Sequence, residues 1–119
     1  MGAAEPEELD IAALMAKANA EAGARTIKKC IACHSFDKGG ANKVGPNLWA
    51  IVDAPKGKKP GFAYSKALSV AGGVWNYDSL FAFLKKPSAY MPGTKMAFAG
   101  IRKPEEIADV IAYMKTKAD

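Results

Sequence analysis

Histidine occurs once in this 119-residue chain and cysteine only twice. All three fall within one five-residue stretch, as Cys30, Cys33 and His34. A disulfide framework spreads its cysteines along the chain, so that reading is excluded. A structural zinc site takes four Cys/His ligands, and this chain owns three. A thioredoxin-like redox pair needs a βαβ setting, and no segment alternates apolar and polar residues as a strand does. Arginine is limited to Arg25 and Arg102, the lysines are scattered, and no basic-aromatic array is present. Nucleic-acid binding is therefore not expected. No apolar run approaches the roughly 20 residues of a membrane span. The acidic start lacks the basic-then-apolar pattern of a secretory leader. No internal repeat or composition shift divides the chain, whose length suits one small domain.

Charge is plentiful but uneven. The net value is +5, yet Glu5, Glu7, Glu8 and Asp10 hold four of the twelve acids. From residue 11 onward 17 basic side chains face 8 acidic ones, a net +9. Such a surface attracts an acidic partner and speeds encounter with it. Half the residues are apolar, but a core at this length is modest. A large apolar cofactor would reinforce it.

The apolar periodicity predicts helices. Ile11, Leu14, Met15 and Ala18 recur at helical spacing, as a separate turn or as part of a tether. Asn19 suits the N-cap of a helix running through Gly23 and Ile27 to the cysteines. Ser65 suits the cap of a short helix over 66–71, stopped by Gly72-Gly73. Asn76 suits the next, with Tyr77, Leu80, Phe81 and Leu84 on one face and Pro87 at its end. The last helix opens at Pro104, where Glu105 and Glu106 complement the helix dipole, and carries Ile107, Val110, Ile111 and Met114 in one stripe. Residues 35–61 and 88–100 are punctuated by Gly and Pro and read as loop. A loop as long as the first is usually functional, and wrapping a cofactor would explain it. The expectation is an all-α fold of about four to five helices with long loops. Residues 1–18 read as an N-terminal extension or stalk and 19–119 as the domain.

Cys30-Ile31-Ala32-Cys33-His34 has the spacing of a c-type haem attachment site. Two thiols three positions apart near a helix end reach the two vinyl groups of one porphyrin. The histidine directly after the second thiol then lies beneath the iron and supplies an axial bond. The occupant of the sixth position decides function. With no second histidine, the candidates include Met1, Met15, Met91, Met96 and Met114. Met1 is terminal, and Met15 and Met114 lie on helical stripes, where core packing suits them. Met91 and Met96 share the loop Met91-Pro92-Gly93-Thr94-Lys95-Met96-Ala97-Phe98-Ala99-Gly100, and spacing alone does not choose between them. A closed site favours electron transfer. The alternative is a haem-based ligand-binding sensor or a peroxidase-like enzyme with a labile sixth ligand.

The sequence resembles the mitochondrial cytochrome c family and its alphaproteobacterial relatives, class I c-type cytochromes, from about Asn19 to Lys117. The likeness rests on Cys30–His34, Lys38-Gly39-Gly40, Gly45-Pro46-Asn47-Leu48, Pro60-Gly61-Phe62-Ala63-Tyr64-Ser65, Trp75, Pro87, the stretch Pro92–Gly100 and Ile111-Ala112-Tyr113, in that order. It implies the class I cytochrome c fold around one haem c attached through Cys30 and Cys33. It implies His34 and Met96 as the iron ligands, and Pro46 as acceptor of a hydrogen bond from His34. Tyr64 and Trp75 match residues that hydrogen-bond a haem propionate, and Thr94 and Phe98 match residues beside the methionine and at the haem edge. Gly23 and Tyr113 match the crossing of the first and last helices. Three positions depart from the mitochondrial pattern: Ala54 replaces an arginine near the propionates, Phe83 a tyrosine bonded to the ligand sulfur, and Ile27 a phenylalanine at the helix crossing.

The function implied is single-electron transfer, not enzymatic catalysis, from a cytochrome bc complex to a haem-copper terminal oxidase. Lys28, Lys29, Lys43, Lys86 and Lys95 would ring the exposed haem edge and meet acidic docking surfaces. The resemblance further implies a monomer on the periplasmic side of a bacterial inner membrane, or less readily in the mitochondrial intermembrane space. Some relatives are tethered by an N-terminal anchor, and residues 5–18 look like the stalk of one. Such an anchor would precede the present chain.

Overall fold

A computed structural model describes residues 10–31, 33–43, 45–58, 62, 64–94, 96 and 98–118, with residue 29 by its backbone alone. These residues form α1 (Ile11–Ala16), α2 (Ala20–Thr26), a 3-10 turn (Ile27–Lys29), α3 (Lys66–Ser69), α4 (Tyr77–Lys85), α5 (Pro87–Tyr90) and α6 (Pro104–Thr116). The only extended pairing among them is an isolated bridge between Pro55 and Val74. The architecture is all-α with long connections, as expected. Two elements go beyond the clearest helical signals, α1 and α5.

Local chemistry explains where the helices start. Asn19, Ser65 and Asn76 each accept a backbone N–H with the side chain, from Ala22 at 3.0 Å, Leu68 at 3.2 Å and Ser79 at 2.8 Å. Asp10 does the same for α1, from Ala13 at 3.0 Å. A cap of this kind contributes about 1 kcal/mol. Pro87 has two roles: it closes α4 and, as a first-turn residue, opens α5. The sequence pattern showed only the first of these. The helix before the cysteines tightens into the 3-10 turn over its last residues instead of running on as α.

The core is built on α6. Ile107, Val110, Ile111 and Met114 are all buried, which is the predicted stripe, and Ala108 joins them. Leu80, Phe81, Phe83 and Leu84 of α4, with Ile27, Cys30, Phe36, Ile51 and Trp75, complete the apolar cluster. The tightest crossing is α2 on α6. A Cβ on Gly23 would stand 2.0 Å from the Asp109 carbonyl oxygen and 3.1 Å from Tyr113 Cβ. Only glycine permits that approach, and it fixes the end of α2 from which the cysteine motif emerges. α1 also lies on α6: Ile11, Leu14, Met15 and Ala18 pack against the core, and the Asn19 N–H donates to Asp109 Oδ1 at 2.8 Å.

Gly23→Ala is expected to lower the stability of the protein by about 2 kcal/mol or more, because the overlap falls on backbone that cannot give way. Denaturant unfolding measures it, and an unchanged midpoint would refute the close-packed crossing.

Candidate haem site

The 3-10 turn hands the chain to a hydrogen-bonded turn that presents the motif. The Cys33 and His34 amides both donate to the Cys30 carbonyl, at 3.0 and 2.9 Å. Cys30 is buried in the apolar cluster, Cys33 is half-buried, and no disulfide joins the two. His34 is 8% exposed. Its Nδ1–H donates to the Pro46 carbonyl at 2.8 Å, which leaves Nε2 as the lone-pair nitrogen. Burial holds the ring's pKa below the ordinary histidine value, against a smaller upward pull from the Pro46 bond. The neutral imidazole that ligation requires is thus the favoured form.

The loop after the motif is built to keep that ring in place. A Cβ on Gly45 would lie 2.2 Å from His34 Cε1 and 2.7 Å from Nε2. The Gly45 N–H donates to the Cys33 carbonyl at 2.7 Å. Asn47 is the hub of the loop. Its Nδ2 donates to Ser35 Oγ at 2.7 Å and to the Asp37 carbonyl at 2.9 Å, and its Oδ1 accepts the Trp49 N–H at 3.0 Å. In the sequence Asn47 reads only as part of a turn. A polar amide inside a Gly-Pro stretch was the available signal for its tying role.

The remaining candidates lie in three groups. Thr94 and Met96 are joined, the Met96 N–H donating to Thr94 Oγ1 at 3.2 Å. Met96 and Phe98 are partly buried against the apolar cluster, whereas Met91 is 8% exposed and a member of it. Trp75 is buried and packs on Phe83 and Tyr90, with ring centroids 5.0 and 6.3 Å away. Tyr64 is half-buried and meets Phe62 edge-on at 4.9 Å. Cys30, Trp75, Met96 and Phe98 therefore border one apolar region. The loop bearing Met96 is pinned at its far end. The Ile101 N–H donates to the Leu84 carbonyl at 2.8 Å, and a Cβ on Gly100 would sit 2.0 Å from the Lys85 oxygen.

A covalently held haem fits this arrangement on one observation above all. His34 Nε2 is a buried polar atom to which no hydrogen bond is made among the described residues, and such an atom is costly without a partner. Gly45→Ala is expected to displace the ring. In the haem-loaded protein the ferric spectrum should then gain high-spin character, and a spectrum like that of the parent protein would contradict the cradle.

Comparison with known proteins agrees with this reading. The cytochrome c family profile matches residues 20–118. A cytochrome c homolog of Rickettsia felis is 56% identical over 114 residues, covering 96% of this chain and 65% of that protein. One from Bradyrhizobium diazoefficiens is 45% identical over 119 residues, covering 99% of this chain and 65% of that protein. The chain thus spans 65% of the length of these two curated relatives. Among solved structures, cytochrome cH from Methylobacterium extorquens superposes with a TM-score of 0.78 at 43% identity, over 83% of this chain and 99% of that one. Proteins of this kind carry haem c bound covalently through a cysteine pair, here Cys30 and Cys33. The chain belongs to the cytochrome c family.

Proposed function

We propose that the protein carries single electrons on a haem c ligated by His34 and Met96. It would take them from a cytochrome bc complex and deliver them to a haem-copper oxidase, on the periplasmic side of a bacterial inner membrane. The observation that carries this reading is the His34 ring, buried and fixed through Nδ1, with Nε2 left for a metal.

The haem, when bound, takes up and gives back one electron at its iron. The residues do the rest. Pro46 orients the His34 imidazole and raises its basicity as a ligand. Met96 supplies a thioether from a loop anchored at both ends, and a thioether in an apolar pocket favours the reduced state. Met91, engaged in the core, is left out of ligation. Trp75 and Tyr64 would donate hydrogen bonds to the propionates, and Thr94 and Phe98 would flank the ligand and the haem edge. Neither ligand has to move, so little reorganises on electron transfer. That is the property of a carrier rather than an enzyme.

Lys28, Lys43 and Lys86 are exposed, and Lys43 Nζ donates to the Ile31 carbonyl at 3.0 Å beside the cysteine motif. The Lys29 side chain and Lys95 lie outside the described residues. The location follows from the chemistry, because haem is joined to reduced thiols outside the bacterial cytoplasm. Among the described residues no helix is long and apolar enough to cross a membrane. A stalk role for the stretch before Asn19, and an anchor before it, belong to the same proposal; residues 1–9 lie outside the described set.

Met96→Ala should lower the reduction potential by on the order of 0.2 V, within the roughly 0.8 V that axial ligands command, and admit carbon monoxide to the reduced protein. Met91→Ala should leave ligation intact and cost about 2–5 kcal/mol of stability. The reverse pattern would exchange the two assignments. Association with an acidic redox partner should slow roughly tenfold or more from low to high salt, and a flat dependence measured by stopped flow would remove electrostatic steering from the account.

A further inference from the structure

Lys56 is placed unlike a surface lysine. Its backbone N–H donates to the Gly73 carbonyl at 3.0 Å, in the short pairing of residues 53–56 with 73–75. Its half-buried side chain crosses to α5, where Nζ donates to Tyr90 Oη at 2.9 Å. The same ammonium lies 5.3 Å from the Trp75 ring centroid and 5.4 Å from that of Tyr90. Both rings also pack on Phe83, tilted at 5.0 Å from Trp75 and edge-on at 6.2 Å from Tyr90. The ammonium thus sits over the Trp75 ring, a cation–π contact, while it meets Tyr90 at its hydroxyl end through the hydrogen bond.

Tyr90 ends α5, and the next residue begins the methionine loop. The Met91 N–H donates to the Pro87 carbonyl at 2.9 Å, the Thr94 N–H to the Met91 carbonyl at 3.0 Å, and the Met96 N–H to Thr94 Oγ1 at 3.2 Å. A continuous run of contacts therefore leads from Lys56 through Tyr90 to the backbone of Met96. The far end of the loop is fixed by Ile101 and Gly100. At the near end, Lys56 ties α5 to a distant part of the chain through a charged hydrogen bond.

We propose that Lys56 is a positioning residue that clamps α5 to the 53–56 turn and so holds the Met91–Met96 loop with its sulfur on the haem. The proposal rests on Met96 being the sixth ligand. The clamp needs both a donor and a cation: the donor fixes the Tyr90 oxygen, and the charge holds the side chain over the Trp75 face. Arginine supplies both, and methionine, of similar length, supplies neither.

The test is imidazole binding to the ferric haem-loaded protein, because added imidazole competes with a loop-borne ligand for the iron. Lys56→Met should raise the imidazole affinity about tenfold, equivalent to about 1.4 kcal/mol. Lys56→Arg should stay near the parent value. Tyr90→Phe, which removes only the oxygen, should shift the affinity in the same direction by less. Hydrogen exchange at the Thr94 amide should quicken in Lys56→Met by a comparable factor. Met96→Ala is the control that separates two failures. If it raises the affinity strongly and Lys56→Met does not, the clamp alone is overturned. If Met96→Ala leaves the affinity unchanged, the ligand assignment falls and the clamp falls with it.

Discussion

The hydrogen bond from His34 Nδ1–H to the Pro46 carbonyl, 2.8 Å long, joins the cysteine motif to the long loop that follows it, and the rest of the site depends on it. By itself such a bond contributes about 0.5–1.5 kcal/mol. Its larger effect is geometric. It selects the tautomer, fixes the ring plane and leaves Nε2 as the one nitrogen with a lone pair to give. Gly45, beside the same carbonyl, runs so close to the ring that no side chain would fit between them. The Asn47 hydrogen bonds hold this part of the loop, and the carbonyl with it, against residues 35–37. A polar network of this kind keeps an irregular loop rigid where no helix or sheet could.

The helices serve that loop. The crossing at Gly23 brings α2 against α6 closely enough to set where the cysteines emerge. α4 and α5 lead into the methionine loop, which is closed at Gly100 against the end of α4. On the proposed ligand assignment, the haem would lie between two loops, each fixed at a helix end. α1 lies outside the 20–118 span of the family profile, yet it rests on α6 through Ile11, Leu14 and Met15.

Much of this was legible in the sequence, for identifiable reasons. Capping side chains act within three residues, so Asn19, Ser65 and Asn76 marked their helices directly. The α6 stripe followed from periodicity, because one face of a 13-residue helix meets one core. The attachment motif is local too, and its spacing carries its chemistry. What stayed hidden depends on distant parts of the chain. Spacing placed Met91 and Met96 in one loop and did not separate them; their different burial is a tertiary fact. α5 is a four-residue helix, barely one turn and too short for an apolar period to repeat. The ties made by Asn47 and Lys56 cross 12 and 34 positions, respectively, and nothing nearby in sequence announces them.

The central claim is that two loops present His34 and Met96 to one closed iron site. The absorption spectrum of the purified haem-loaded protein, oxidised and then reduced with and without carbon monoxide, tests it most directly. The account predicts a weak far-red sulfur-to-iron band in the oxidised form and sharp reduced bands that carbon monoxide leaves unchanged. A reduced spectrum that shifts readily with carbon monoxide, or an oxidised one without the sulfur band, would contradict it and bring forward the sensor or peroxidase-like reading.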